Sequence, residues 1–330
     1  MKAIVTGGAG FIGSHLIDKL LNEYKDIKIT VLDNFSTGRK ENLDHIKDRI
    51  KIIECDLSIR GIWENEFNEV SYVFHLAALA DVVPSIKNPL EYFNSNVNGT
   101  FNVLEACKNK NIKKLVYSAS SSCYGIPKNY PTKEDSKIDT QYPYALTKRM
   151  GEELVLHWSK IFNVPSVSLR LFNVYGPRSR TSGTYGAVMG VFLAQKIAGK
   201  PYTVVGDGNQ TRDFTFVSDV ARAFILASKS SFTSEIYNVG SNNTVSINKL
   251  VELISEGKIN KVFIPTRPGE PKCTYADIGK IKNDLKWTPL IDIENGVREV
   301  LAKIDYWKNA PVWTPDSISK ETEDWFKYLK

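Results

Sequence analysis

Several features that would each announce a function are missing from this chain of 330 residues. No apolar run approaches the roughly 20 residues needed to cross a bilayer. The four cysteines, Cys55, Cys107, Cys123 and Cys273, show no CxxC and no Cys/His ligand spacing. They read as free thiols in a reducing compartment, and no metal is expected. Internal repeats and low-complexity tracts are absent. The net charge is only +6, with Lys and Arg scattered among the acids, so no basic patch for nucleic acid stands out. What remains, 42% apolar and 24% charged, is ordinary for a soluble globular protein. The length suits two domains or one large α/β unit. The chain opens directly on an apolar run, with no leader-like stretch. A cytoplasmic protein with neither membrane nor nucleic-acid partner is the expectation.

That opening run is the most informative stretch present. Ala3–Val5 has the length of a buried strand, and Gly7, Gly10 and Gly13 follow at intervals of three. Phe11, Ile12, His15, Leu16, Leu20 and Leu21 then recur at helical spacing. Strand, glycine turn and helix together aim unpaired backbone N–H groups and a positive helix end at a diphosphate. Gly7 permits the tight turn, Gly10 the approach of a phosphate, and Gly13 close packing of helix on strand. A second apolar run, Ile27–Leu32, ends in Asp33, twenty residues past Gly13. An acid there hydrogen-bonds an adenosine ribose and repels a 2′-phosphate, which selects NAD over NADP.

Further strands are expected at Ile50–Glu54, Val70–Leu76, Leu115–Ser118 and Ser166–Leu171, and helices at Pro89–Lys110 and Tyr144–Phe162. Strands alternating with helices predict a doubly wound parallel (Rossmann) α/β sheet. Asp56 and Leu57 close the third strand, where an acid faces an adenine or caps a helix. Leu76, Ala77 and Ala78 end the fourth, and small residues there leave room for a flat ligand. His75 reads as a core histidine. Past Asn173 the segments shorten, Gly and Pro become frequent, and a smaller C-terminal α/β lobe over the carboxyl edge is expected. The division is residues 1–172 for the cofactor and 173–330 mainly for substrate, with segments near 213–240 returning to the first part. The aromatic tail, with Trp307, Trp313, Trp325 and Phe326, is expected to be docked.

Tyr144 and Lys148 lie four apart at a helix start, hence on one face. A free tyrosine has a pKa near 10. A neighbouring ammonium and a positive nicotinamide ring favour the phenolate and lower that value. Ser120 stands at the carboxyl end of a strand, where its hydroxyl can hold a substrate hydroxyl against the phenolate.

These residues bring the chain to a resemblance. It resembles the extended short-chain dehydrogenase/reductase family, and within it the nucleotide-sugar epimerases of the UDP-glucose 4-epimerase type. The matching pieces begin with Thr6–Gly13, Asp33-Asn34, His75–Ala78, the serines before Tyr124-Gly125, and Tyr142-Pro143-Tyr144 with Lys148. Arg170–Pro177, Gly206–Gly208, Arg212–Phe214, Asn238–Gly240 and Arg267–Glu270 complete the set. The resemblance implies Ser120, Tyr144 and Lys148 as the catalytic trio. It also implies cofactor contacts from Gly7, Gly10, Phe11, Ile12, Gly13, Asp33, Asn34, Asp56, Leu57 and Leu76–Ala78, besides Tyr144 and Lys148. On the substrate side it implies Ser120, Ser122 and Asn173, with Arg212, Arg267 and Glu270 at a nucleotide diphosphate.

The implied reaction is reversible epimerisation at C4 of a nucleotide-linked hexose, UDP-glucose or UDP-galactose foremost, using tightly held NAD. Relatives that dehydrate the sugar resemble one another in carrying an acidic pair after the catalytic serine. Ser121-Ser122 stand there, so dehydration is disfavoured. Arg178 and Arg180 in the loop bordering the sugar keep a uronic acid open, as substrate of a UDP-glucuronate 4-epimerase or decarboxylase. A non-catalytic NAD-binding sensor is the alternative of another class. Counting seven from Arg267 gives Thr274, a small residue where the family fits the sugar's C2 substituent, which admits N-acetylated hexoses. A slip to Cys273 leaves that conclusion intact, and a slip to Tyr275 reverses it. A homodimer is expected, its two long helices pairing with their mates in a four-helix bundle.

Overall fold

Valine, isoleucine and leucine dominate the short runs between helical stretches, as suits strands covered on both faces. The computed structural model describes residues 1–179, 186–257 and 259–329. The runs become β1 (Lys2–Thr6), β2 (Lys28–Asp33), β3 (Ile50–Glu54), β4 (Tyr72–His75), β5 (Lys114–Ser120), β6 (Ser166–Leu171) and β7 (Glu235–Val239). They form a seven-stranded sheet in the order β7-β6-β5-β4-β1-β2-β3, with every neighbouring pair parallel. The order reverses between β1 and β4, which opens a crevice at their carboxyl ends.

Alternate residues of each strand serve opposite faces. Ala3, Val5, Val31, Phe74 and Val116 pack with α1 (Phe11–Glu23) and with Val220 and Phe224 of a helix at Val217–Lys229. Ile4, Leu32, Val73, Leu115 and Tyr117 pack on the other face. There they meet α2 (Gly99–Cys107), through Val103 and Leu104, and α3 (Pro143–Ile161), through Val155 and Trp158. The helix at Val217–Lys229 is α4.

One expectation needs correction. Pro89–Lys110 is not one regular helix. It runs as Pro89–Phe93, a widened π turn at Asn94–Asn98, then α2. The cause is Asn96, whose side chain accepts from Leu79 N at 2.8 Å and donates to Leu79 O and Thr147 Oγ1 at 3.0 Å each. Inserting that amide between helix and loop widens the turn. Among the segments near 213–240 expected to return to the first part, Ile236–Val239 forms the core of β7, the edge strand beside β6. Ala276, Ile278, Ile281, Leu285 and Trp287 also pack into the core around α1 and α4.

The remaining segments build a second core from Phe192, Tyr202, Val204, Phe214, Leu250, Val251, Val297, Trp307 and Trp325. Small two-stranded ladders join Tyr202–Val205 to Lys261–Ile264 and Thr211–Arg212 to Val245–Ser246. Trp307 and Trp325 are buried, so the tail is docked.

Candidate active site

A cleft of about 630 Å³ runs from the glycine turn, past the carboxyl ends of β1, β4 and β5, to the C-terminal lobe. The glycines are required by contact as well as by conformation. Gly7 has φ +67°, and a Cβ there would lie 2.7 Å from Ala77 N; one on Gly13 would lie 2.3 Å from Gly7 O. Gly10 caps α1 without any side-chain hydrogen bond, which leaves the helix end to the cleft.

Asp33 ends β2 almost fully buried. Its carboxylate accepts from Ala9 N at 2.9 Å and from Phe35 N at 2.8 Å. It therefore ties the glycine turn to the end of β2. Burial pushes its pKa up, and the two N–H donors hold it down. Asn34, Asp56, Leu57, Leu76, Ala77 and Ala78 all line the same half of the cleft, with Phe11 and Ile12. Asp56 caps its own turn, accepting from Ser58 N at 2.8 Å. His75 is a core residue as expected, bonded to Thr6 Oγ1 at 2.7 Å and Thr100 Oγ1 at 2.9 Å, with burial lowering its pKa to about 3.

Ser120, Tyr144 and Lys148 come together where β5 meets the start of α3. The Ser120 hydroxyl lies 2.8 Å from Ser122 Oγ and acts to lower the pKa of the Tyr144 phenol. In the protein alone, without the nicotinamide ring, burial dominates both pKa values. Burial raises Tyr144 to about 12, against the pull of Ser120. Burial also lowers Lys148 to about 7, with Glu152 acting the other way. The Lys148 Nζ lies 4.6 Å from the centre of the Tyr117 ring.

On the opposite wall, Asn173 and Thr274 meet, Thr274 Oγ1 donating to Asn173 Oδ1 at 2.8 Å. Both line the cleft. Tyr275 instead gives its carbonyl to Thr132 N at 2.7 Å, in a ladder outside the cleft lining. Arg212 and Arg267 converge on Glu270, with Nη2–Oε1 at 2.9 Å and Nη1–Oε2 at 3.8 Å respectively. Asp213, which follows Arg212 in sequence, faces away to Ser241 and Ala276. Two guanidinium groups sharing one carboxylate at a cleft form an anion site whose internal anion is Glu270.

The pattern of the NAD dependent epimerase/dehydratase family matches residues 3–240. The chain belongs to that family. Among solved structures, the chain is similar to the UDP-N-acetylglucosamine 4-epimerase of Methanobrevibacter ruminantium, solved in complex with UDP-N-acetylmuramic acid. The two are 36% identical, with a TM-score of 0.87 over 92% of this chain and 98% of that one. It is similar also to the UDP-glucose 4-epimerase of Thermotoga maritima solved with UDP-glucose, at 31% identity, TM-score 0.86, and 94% and 99% coverage. A third similarity is to the UDP-glucuronic acid 4-epimerase of Bacillus cereus solved with UDP-glucuronic acid and NAD, at 34%, 0.85, 94% and 99%.

This member of the epimerase/dehydratase family is thus an NAD-dependent enzyme of the nucleotide-sugar 4-epimerase type. Its glycine turn fits the cofactor, since Gly10 leaves the N-terminus of α1 without a side-chain cap and open to a diphosphate. Three features escaped the sequence. Asp81, after β4, puts a carboxylate in the cleft close enough to raise the Tyr144 pKa, so the site is not without a carboxyl group. Arg178 is paired with Asp18 of α1 at 2.8 Å, and Arg180 lies outside the described residues. Trp313 and Trp325 of the tail line the cleft. Their number made docking legible, but no spacing rule says against what.

The recognised motif residues Tyr124, Arg170 and Asn238 turn out to be scaffold. Arg170 bonds Glu152 at 2.8 Å and Tyr124 at 2.7 Å, and Tyr124 donates to Asn238 at 2.7 Å. Glu152 stands four residues past Lys148 on α3, so this buried network fixes the catalytic helix on β5, β6 and β7.

Proposed function

We propose that this enzyme interconverts a UDP-hexose and its C4 epimer, and that it takes N-acetylated hexoses alongside plain ones. The observation that carries the reading is Thr274, a small side chain on the cleft wall beside Asn173, with the bulky Tyr275 turned out of it. Space at the sugar's C2 substituent is then left open.

Arg212 and Arg267 hold the diphosphate in this reading, and Glu270 yields its place between them to the incoming phosphates. Asn173 contacts the phosphates or the sugar. The Tyr144 phenolate takes the C4 hydroxyl proton, directly or through the Ser120 hydroxyl, and later returns it. Bound NAD supplies the two-electron acceptor for the C4 carbon and a positive charge beside the phenol. Held only through its nucleotide, the 4-keto sugar would turn its other face to the nicotinamide within the cleft, and Tyr144 would return the proton to the C4 oxygen as C4 takes back the hydride. Burial keeps the free protein's phenol protonated, so the base is made only in the assembled site.

A uronic acid substrate rests on Arg178 and Arg180. With Arg178 already paired to Asp18, it has less support than the neutral hexose. Incubation with UDP-glucose, UDP-N-acetylglucosamine and UDP-glucuronate, with products read by proton NMR, separates the readings. Conversion of UDP-glucuronate alone contradicts the proposal.

A homodimer completes the reading. Leu90, Phe93 and Phe101 on the segment leading through α2, and Leu146 and Ile161 on α3, are large and exposed. That is more apolar surface than two helices on a sheet leave to water, and a second copy would cover it.

A further inference from the structure

The C-terminal segment folds back over the substrate half of the cleft. The buried Gln195 amide donates to the Trp313 carbonyl at 2.7 Å, and Lys87 bridges Glu321 at 3.0 Å. These ties place the short helix Glu323–Tyr328, whose Trp325 is 5% exposed.

Trp325 touches both halves of the site. Its indole N–H donates to the Pro268 carbonyl at 2.7 Å, directly after Arg267. Its ring lies 5.6 Å from the Arg267 guanidinium carbon. The same ring lies 6.0 Å from the Tyr142 ring, two residues before Tyr144. One side chain therefore joins the loop bearing Arg267 and Glu270 to the turn that starts the catalytic helix. That loop bends at Gly269, with φ +73°. Its internal Glu270 N–H to Arg267 O bond is long, 3.4 Å. Trp325 is thus an anchor from outside the loop, acting beside the Arg267–Glu270 pair within it.

We propose that Trp325 is a positioning residue for the diphosphate grip, holding Arg267 at the orientation and distance from Tyr144 that a nucleotide diphosphate requires. The proposal rests on the reading of Arg212 and Arg267 as diphosphate ligands. An indole N–H bond and a ring beside a guanidinium each contribute modestly on their own. Misdirecting Arg267 adds the loss of a charge-assisted phosphate contact.

The test is calorimetric titration of UDP into the NAD-loaded protein. The variants are Trp325→Phe, Trp325→Ala, Arg267→Ala, and each Trp325 substitution combined with Arg267→Ala. Arg267→Ala is expected to weaken UDP at least tenfold, Trp325→Ala about tenfold, and Trp325→Phe, which keeps the ring and loses the N–H, about fivefold. In the Arg267→Ala background neither Trp325 substitution should weaken UDP further. Equal losses in both backgrounds would make Trp325 plain packing and overturn the proposal, as would unchanged affinity in the Trp325 variants. Unchanged affinity in Arg267→Ala overturns the grip assignment itself and the proposal with it. Should Trp325→Ala not fold, the Phe pair makes the same comparison.

Discussion

Thr274 and Asn173, a hundred and one residues apart in the chain, are joined by a 2.8 Å hydrogen bond on the wall of the cleft. A threonine held there by its hydroxyl is small and fixed in orientation. Thr274→Tyr is expected to suppress turnover of UDP-N-acetylglucosamine and spare UDP-glucose, because overpacking a site costs about 1–3 kcal/mol, roughly 5- to 150-fold in rate. Steady-state kinetics on both sugars check it. Equal losses on both would show that Thr274 does not select at C2.

Tyr144→Phe should lower kcat by at least two orders of magnitude with little change in UDP-sugar affinity, as expected for loss of a general base. Ser120→Ala should cost less, since Ser120 orients the phenol and the substrate hydroxyl. A Phe variant retaining a tenth of the wild-type rate would place the base elsewhere, and Asp81, also facing the cleft, is the next residue to substitute.

Lys148 gives a stability test. Its folded pKa is about 7, lowered chiefly by burial, against roughly 10.4 in an unfolded chain. Between those values the unfolded chain holds a proton that the folded one lacks, so stability rises with pH across the window. The cost of burying the amine is thus greatest at and below pH 7. Lys148→Met should melt higher than wild type, with a larger gain at pH 6.5 than at pH 9.5, while losing activity. Scanning calorimetry at both pH values decides it, and a gain independent of pH would refute the titration.

Much of this was legible in the sequence because backbone demands residue types at fixed offsets. Gly7 and Gly13 had to be glycine for contacts that the structure shows, and Asp33 closes β2 as its spacing requires. Short apolar runs and helical spacings gave β1 to β6, α1 and α3. Illegible were relations that depend on distant packing. The return of segments near 213–240 was legible, but the edge position of β7 is fixed only by its pairing with β6, and the π turn depends on where Asn96 finds partners. The burial that raises the Tyr144 pKa in the protein alone is encoded by no motif. Trp325 looked like one more core aromatic, because only the fold brings it to Pro268.

The apolar surface left by Leu90, Phe93, Phe101, Leu146 and Ile161 predicts a dimer in solution. Light scattering at micromolar concentration should give twice the mass of one chain, and Leu146→Glu should shift it to monomer. A monomeric wild type would contradict the assembly and leave the site assignments standing.

The most direct measurement is proton NMR of the purified enzyme, with no added cofactor, incubated with UDP-N-acetylglucosamine and, separately, with UDP-glucose. The account predicts that the galacto epimer appears in each tube until both forms coexist, and that denaturing the enzyme releases NAD and not NADP. Retention of both sugars unchanged by protein carrying NAD, or release of NADP, would contradict it.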